Sequence, residues 1–104
     1  MVQEITTYNE FNHEINNRKG LIVVDYYADW CGPCKRIAPL IMKWDSEMNN
    51  VTFLKVNVEQ NSRTALEMDI KLMPTFHLFI NGRKIAGLKG ANSNQLFELI
   101  DAYR

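Results

Sequence analysis

Apolar positions follow two rhythms along this chain. Leu21-Ile22-Val23-Val24-Asp25-Tyr26-Tyr27 is a β-branched and aromatic run without polar alternation, the pattern of a central strand covered on both faces. Val51 to Val58 reads as another strand, and Thr75 to Ile80 as a third, entered through Pro74. Between these runs the apolar positions recur every three or four residues, as they do on a helix. Tyr8, Phe11 and Ile15 form one such stripe; Ile37, Leu40, Ile41, Trp44 and Met48 form a longer one. Leu96, Phe97, Leu99, Ile100 and Tyr103 are expected to be the apolar side of a final helix that starts at Ser93.

The polar residues between these stretches supply the punctuation. Thr7-x-x-Glu10 fits a capping box at the start of the first helix, after a short strand over Val2 to Thr6. Asn16 to Gly20 is polar and ends in glycine, which suits a stop. Asn61 or Ser62 can cap a short helix through Met68. Pro39 falls inside the longest helical stretch and should kink it, because it has no N–H for the Lys35 carbonyl. Asn81-Gly82 is a strong hairpin signal, since both central positions of a type I′ turn need positive φ; Arg83 to Leu88 is then the return strand.

The order is β-α-β-α-β-α-β-β-α. Strands separated by helices imply right-handed crossovers and parallel neighbours, and the hairpin adds an antiparallel edge. The expectation is an α/β fold with a mixed five-stranded sheet flanked by four helices, in a single domain over residues 1–104. Composition adds limits. Hydrophobic residues make up 46% and charged residues 23%, values of an ordinary globular domain rather than a disordered chain. Lys plus Arg and Asp plus Glu are balanced at 12 each, which argues against a nucleic-acid partner. No apolar run approaches the roughly 20 residues of a membrane span, and the N-terminus lacks signal-peptide features, so a cytoplasmic location is expected.

The chemistry concentrates at Cys31 and Cys34, the only cysteines. They fall where the central strand hands over to the long helix, with Pro33 expected at the first helical position, where its missing N–H costs nothing. Residues three apart share a helix face and lie within disulfide reach. The helix N-terminus favours thiolate over thiol, so Cys31, at the cap and on the more exposed side, should be the attacking nucleophile. Cys34, one turn in, should resolve the mixed disulfide. Half of a zinc site is the first competing explanation, but the only histidines, His13 and His77, are distant in sequence and lack a knuckle spacing, so no metal is expected. A static structural disulfide closing so short a loop would remove little unfolded-state entropy. A pair of inert buried thiols fits poorly with the surrounding Trp30-Cys31-Gly32-Pro33-Cys34.

That segment, with Lys35 after it and Val23-Val24-Asp25-Tyr26-Tyr27-Ala28-Asp29 before it, closely resembles the active-site stretch of the thioredoxin family. Met73-Pro74-Thr75 resembles the family's second active-site loop, and Asn81-Gly82 and Gly90-Ala91-Asn92 match in place, the last more in the eukaryotic manner. The resemblance runs over nearly the whole chain and implies the thioredoxin fold. It implies a protein-disulfide reductase and electron carrier with no bound cofactor. Electrons would come from NADPH through a flavin-containing thioredoxin reductase, and substrates would be protein disulfides such as those of peroxiredoxins or ribonucleotide reductase. It also implies roles for further residues. Asp25 would lie behind the disulfide and exchange a proton with Cys34, where the bland alternative is an aspartate at a strand end facing water. Lys55 matches a lysine that tunes this carboxylate in many relatives, while others carry an acid there; a solvated surface lysine is an equal reading. Pro74 would be cis and bring the Met73 backbone beside Cys31, ready to pair with an extended substrate. Trp30, Gly32, Pro33, Met73, Pro74, Gly90 and Ala91 would form a flat apolar patch around the sulfur, on a chain expected to act as a monomer. Trp44 reads as core. Tyr26, Tyr27 and Asp29 depart from the residues commoner in the family, and Asp29 would act weakly against a Cys31 thiolate. The rival from another class is an interaction module that uses the patch for docking, with redox chemistry incidental.

Overall fold

The computed structural model describes every residue from Met1 to Arg104. Its elements follow in the order β1 (Gln3–Glu4), α1 (Tyr8–Asn17), β2 (Leu21–Tyr27), α2 (Gly32–Glu47), β3 (Val51–Asn57), α3 (Ser62–Glu67), β4 (Thr75–Ile80), β5 (Arg83–Lys89) and α4 (Ser93–Tyr103). The five strands form one sheet in the order β1-β3-β2-β4-β5. The pairings of β3 with β1 and β2 are parallel, and β4 is antiparallel to both β2 and β5. Asn81 and Gly82 turn the hairpin with φ of +53° and +78°, the positive values that a type I′ turn demands.

Strand alternation divides the core into two layers. Leu21 and Val23 of β2, Val51 and Phe53 of β3, and Phe76 and Leu78 of β4 pack with Ile37, Ile41 and Trp44 of α2 and Leu96 and Ile100 of α4. The opposite face carries Ile22, Val24 and Tyr26, Leu54 and Val56, and Phe79, packed with Phe11 and Ile15 of α1. The central strand is therefore covered on both sides, which is why its sequence shows no polar alternation.

Local chemistry sets the element ends. Thr7 Oγ1 accepts from the Glu10 N–H at 3.0 Å, and the Glu10 carboxylate accepts from the Thr6 N–H at 3.0 Å, one residue before the cap. β1 is two residues long, shorter than the expected Val2 to Thr6: the Ile5 N–H still donates to the Lys55 carbonyl at 2.8 Å, but the Thr6 N–H is taken by Glu10. Asn61 caps α3 and Asn92 caps α4, each side chain accepting from the N–H three residues on. Gly32, not Pro33, is the first residue of α2, with Cys31 as its cap. The helix continues through Pro39 to Glu47. On α4 only Leu96 and Ile100 are buried, because residues four apart share the core-facing side. Phe97 stays at the rim, its ring 5.6 Å from that of Trp44, and Tyr103 is exposed, so the apolar side is narrower than its composition suggests. At the far edge, β5 displays Arg83, Lys84 and Lys89 to solvent, and its pairing with β4 shifts register between Leu78 and Phe79.

Candidate functional site

Alternation along β2 places the site. Leu21 and Val23 face α2, so Asp25 faces it too, at the end of the strand from which the chain crosses to that helix. Ala28, Cys31 and Cys34 make a small buried cluster there, packed against Tyr27, Val58 and Met73. Cys31 and Cys34 are joined as a disulfide with their Cα atoms 5.3 Å apart. Exposure does not separate the two: each residue is 4% exposed, so the expectation that Cys31 lies on the more open side does not hold for this closed pair. What separates them is position. Cys31 caps α2, and its Sγ accepts from the Cys34 N–H at 3.2 Å, one of the free donors of the helix start. The same donor and the helix dipole would favour a thiolate on Cys31 once the pair is reduced.

The Met73–Pro74 peptide is cis, and the Met73 carbonyl oxygen lies 3.6 Å from Cys31 Sγ. The Gly90 N–H donates to the Pro74 carbonyl at 2.8 Å, so the end of β5 is tied to this loop. Trp30 is 65% exposed on the turn before the cap. Gly32, Pro33, Met73, Gly90 and Ala91 are partly buried and Pro74 is buried. Leu72, about half exposed beside Met73, adds apolar surface that the sequence pattern did not mark, because an isolated leucine before a Met-Pro step carries no periodic signal.

Beneath the disulfide a cleft of about 310 Å³ is lined by Asp25, Tyr27, Cys34, Lys35, Ala38 and Lys55, among others. Asp25 is 8% exposed, and its Oδ1 has no hydrogen-bond partner. Burial pushes its carboxyl up to about 7, against a smaller opposing pull from Lys55 and a further push from Glu4. Lys55 is the direct β3 partner of Asp25, partly buried rather than fully solvated, with its ammonium 5.7 Å from the centre of the Tyr27 ring. Glu4 is the residue that sequence reasoning missed. It pairs with Lys55 on the other side, and its carboxylate accepts from the Tyr27 hydroxyl and, at 3.3 Å, from the Asn57 N–H. Only strand register brings it here; nothing in the local sequence distinguishes it from a surface glutamate.

His77, a candidate only for metal, lies elsewhere. It is buried on the opposite face of the sheet, with Nδ1 3.2 Å from the Tyr26 hydroxyl. No group of three or more His, Cys, Asp or Glu side chains is arranged to hold a metal ion.

The arrangement can carry two electrons as a dithiol or a disulfide, with a buried carboxyl at hand for a proton. Comparison with known proteins agrees with this chemistry. Residues 2–102 match the family model described as Thioredoxin. Thioredoxin-1 of Schizosaccharomyces pombe is 41% identical over 102 residues, covering 98% of this chain and 98% of its own. Fasciola hepatica thioredoxin superposes with a TM-score of 0.96 at 38% identity, covering 99% of this chain and 100% of that one. A structure from work on thiol resolution in a yeast mitochondrial 1-Cys peroxiredoxin through the glutathione and thioredoxin systems superposes at 0.92. It is 33% identical, covering 97% of this chain and 94% of that one.

Proposed function

We propose, for a chain that belongs to the thioredoxin family and is a thiol–disulfide oxidoreductase, a working cycle assigned residue by residue. The reduced Cys31 thiolate attacks one sulfur of a protein disulfide and expels the other as a thiolate. Cys34, giving its proton to Asp25, then attacks Cys31 in the mixed disulfide and releases the second target sulfur. Two electrons pass to the target and the Cys31–Cys34 disulfide remains. The observation that carries this reading is the closed pair at the cap of α2, above a buried carboxyl with no hydrogen-bond partner on Oδ1.

Met73 and Pro74 serve as the backbone edge against which an extended substrate segment pairs, and Trp30, Gly32, Pro33, Gly90 and Ala91 form the apolar rim around it. The Met73 carbonyl 3.6 Å from Cys31 Sγ supports that placement. Lys55 tunes Asp25. Partners of this chain are thiol proteins: peroxiredoxins, which the yeast structure's description links to the thioredoxin system, and ribonucleotide reductase. The pair is returned to the dithiol by a flavin thioredoxin reductase drawing on NADPH. The chain serves electron transport and redox homeostasis in the cytoplasm, where a reversible thiol pair has a reducing supply. No helix is long and apolar enough to cross a membrane.

Catalysed reduction of insulin disulfides by dithiothreitol tests the cycle. Wild type should accelerate it strongly and Cys34→Ser should lose the acceleration; a folded wild type without acceleration would refute the reading. Asp25→Asn should slow turnover roughly tenfold or more, within the range of general acid–base effects. An unchanged pH dependence of disulfide exchange in that variant would remove Asp25 from the proton step.

A further inference from the structure

Three charged side chains stand in one row across three neighbouring strands. Glu4 of β1 is in register with Lys55 of β3, and Lys55 is in register with Asp25 of β2. Strands are spaced about 4.8 Å apart, so the lysine has a carboxyl group on each side at one strand's distance. Alternation puts all three on the α2 face of the sheet. Lys55 closes no salt bridge with either neighbour; its ammonium lies over the Tyr27 ring. Glu4 is held in place by the Tyr27 hydroxyl and the Asn57 N–H. Burial and the bond to Glu4 keep the Tyr27 phenol far above its ordinary value, so it remains a donor across the working pH range.

We propose that Glu4 is a positioning residue for the proton step: held by Tyr27 on the far side of Lys55, its carboxylate offsets that lysine's charge on Asp25 and so leaves Asp25 able to take and hold the proton of Cys34. The inference rests on the assignment of Asp25 as the proton carrier for Cys34. It goes beyond it by placing the control of Asp25 in β1, two strands away from the strand that carries Asp25.

From β3, Asp25 faces Lys55; from β1, beyond Lys55, Glu4. Tyr27 and Asp29 follow it along β2 and the succeeding turn, and Cys34 and Lys35 reach the same cleft from α2. Its β4 neighbour is Phe76, which carries no charge. Among the charges, those that act appreciably on Asp25 are Lys55, lowering it, and Glu4, raising it. Removing Glu4 therefore has a defined sign. It takes away one repulsive charge and leaves Lys55 to a single carboxylate, and both effects favour ionised Asp25.

The test is a carbon-13 NMR titration of the Asp25 carboxyl in the oxidised protein, where neither cysteine titrates. Glu4→Gln should lower the Asp25 midpoint by about 0.5 pH unit or more. Glu4→Asp, which keeps the charge, should hold it close to wild type. Tyr27→Phe removes the hydroxyl that holds Glu4 in the row and should lower the midpoint, by less than Glu4→Gln does; this variant carries the test if Glu4→Gln does not fold. An unmoved midpoint in folded Glu4→Gln overturns the proposal, as does a midpoint that is unmoved or rises in Tyr27→Phe. The readout is independent of turnover. If the midpoint moves as expected while the pH profile of insulin reduction does not, the action of Glu4 on Asp25 stands and the assignment of Asp25 as proton carrier fails.

Discussion

Asp25 and His77 sit back to back in the middle of the sheet. Asp25 pairs with Phe76 and His77 with Val24, so they occupy neighbouring positions of adjacent strands and point to opposite faces. Both are buried, and desolvation acts against the charged form of each: the carboxyl rises to about 7 and the imidazole falls to about 4. Yet their surroundings differ. His77 Nδ1 meets the Tyr26 hydroxyl, and its ring is enclosed edge-to-face by Tyr26 and Phe79. Asp25 has an oxygen without a partner, a neighbouring lysine that does not reach it, and a cleft shared with Cys34. Burial shifts both titrations; what sets Asp25 apart is an unfilled hydrogen-bond site and a cleft shared with Cys34, the surroundings that the proposed proton step would need.

The largest way to sharpen this contrast is to neutralise Asp25. A carboxyl raised in the folded state from 3.8 stabilises the fold below that pH and loses its contribution as pH rises through about 7. Asp25→Asn should accordingly be more stable than wild type at pH 8, by on the order of 2 to 4 kcal/mol, with the gain vanishing towards pH 4. Urea unfolding at several pH values measures it; equal stability at pH 8 would mean that the carboxyl is not held at a cost. His77 has the opposite slope. Its depressed value gives stability that is present above 6.5 and is lost as pH falls through about 4. In wild type the two slopes oppose each other across that window. In the Asp25→Asn background the histidine's loss, about 2 kcal/mol or more, should stand uncovered.

Next in size is His77→Phe, which leaves the Tyr26 hydroxyl buried without its partner. It should cost about 1–3 kcal/mol at pH 7 while insulin reduction stays at the wild-type rate. A matching loss of activity in folded protein would break the distinction between the two faces. The smallest effect should come from Gly87→Ala on the His77 side. Its new Cβ would lie 3.4 Å from His77 Cδ2 and 3.5 Å from the Phe76 carbonyl oxygen, contacts that ask for little adjustment. Thermal unfolding should report a change of about 0.5 kcal/mol or less.

The same contrast explains what could be read from sequence. Continuous apolarity marked β2 as doubly covered, and the Asn-Gly step marked the hairpin, because both signals are local. Asp25 stood out as a lone charge within that run, so its burial was legible too. The partner on the other side of Lys55 was not, since Glu4 and Lys55 meet only through a parallel register between distant segments. The burial of Cys31 was misjudged for a related reason. A cap position suggests openness, but here Val58 and the Met73 loop, both distant in sequence, pack against the cysteines together with the local Ala28 turn. Phe97 and Tyr103 belong to the expected apolar side of the last helix yet stay largely exposed, because composition does not tell which side of a helix end still has a sheet beneath it.

The last full strand carries a further consequence. A sheet that ends in a seven-residue strand exposes a row of free backbone donors and acceptors, which a second molecule could extend into a longer ladder. Here that strand carries the exposed Arg83, Lys84 and Lys89, and the register shift at Leu78/Phe79 breaks its regular pairing. Any copy docking along this margin would set cation against cation across an uneven hydrogen-bond row. The margin thus guards against aggregation between copies of this chain.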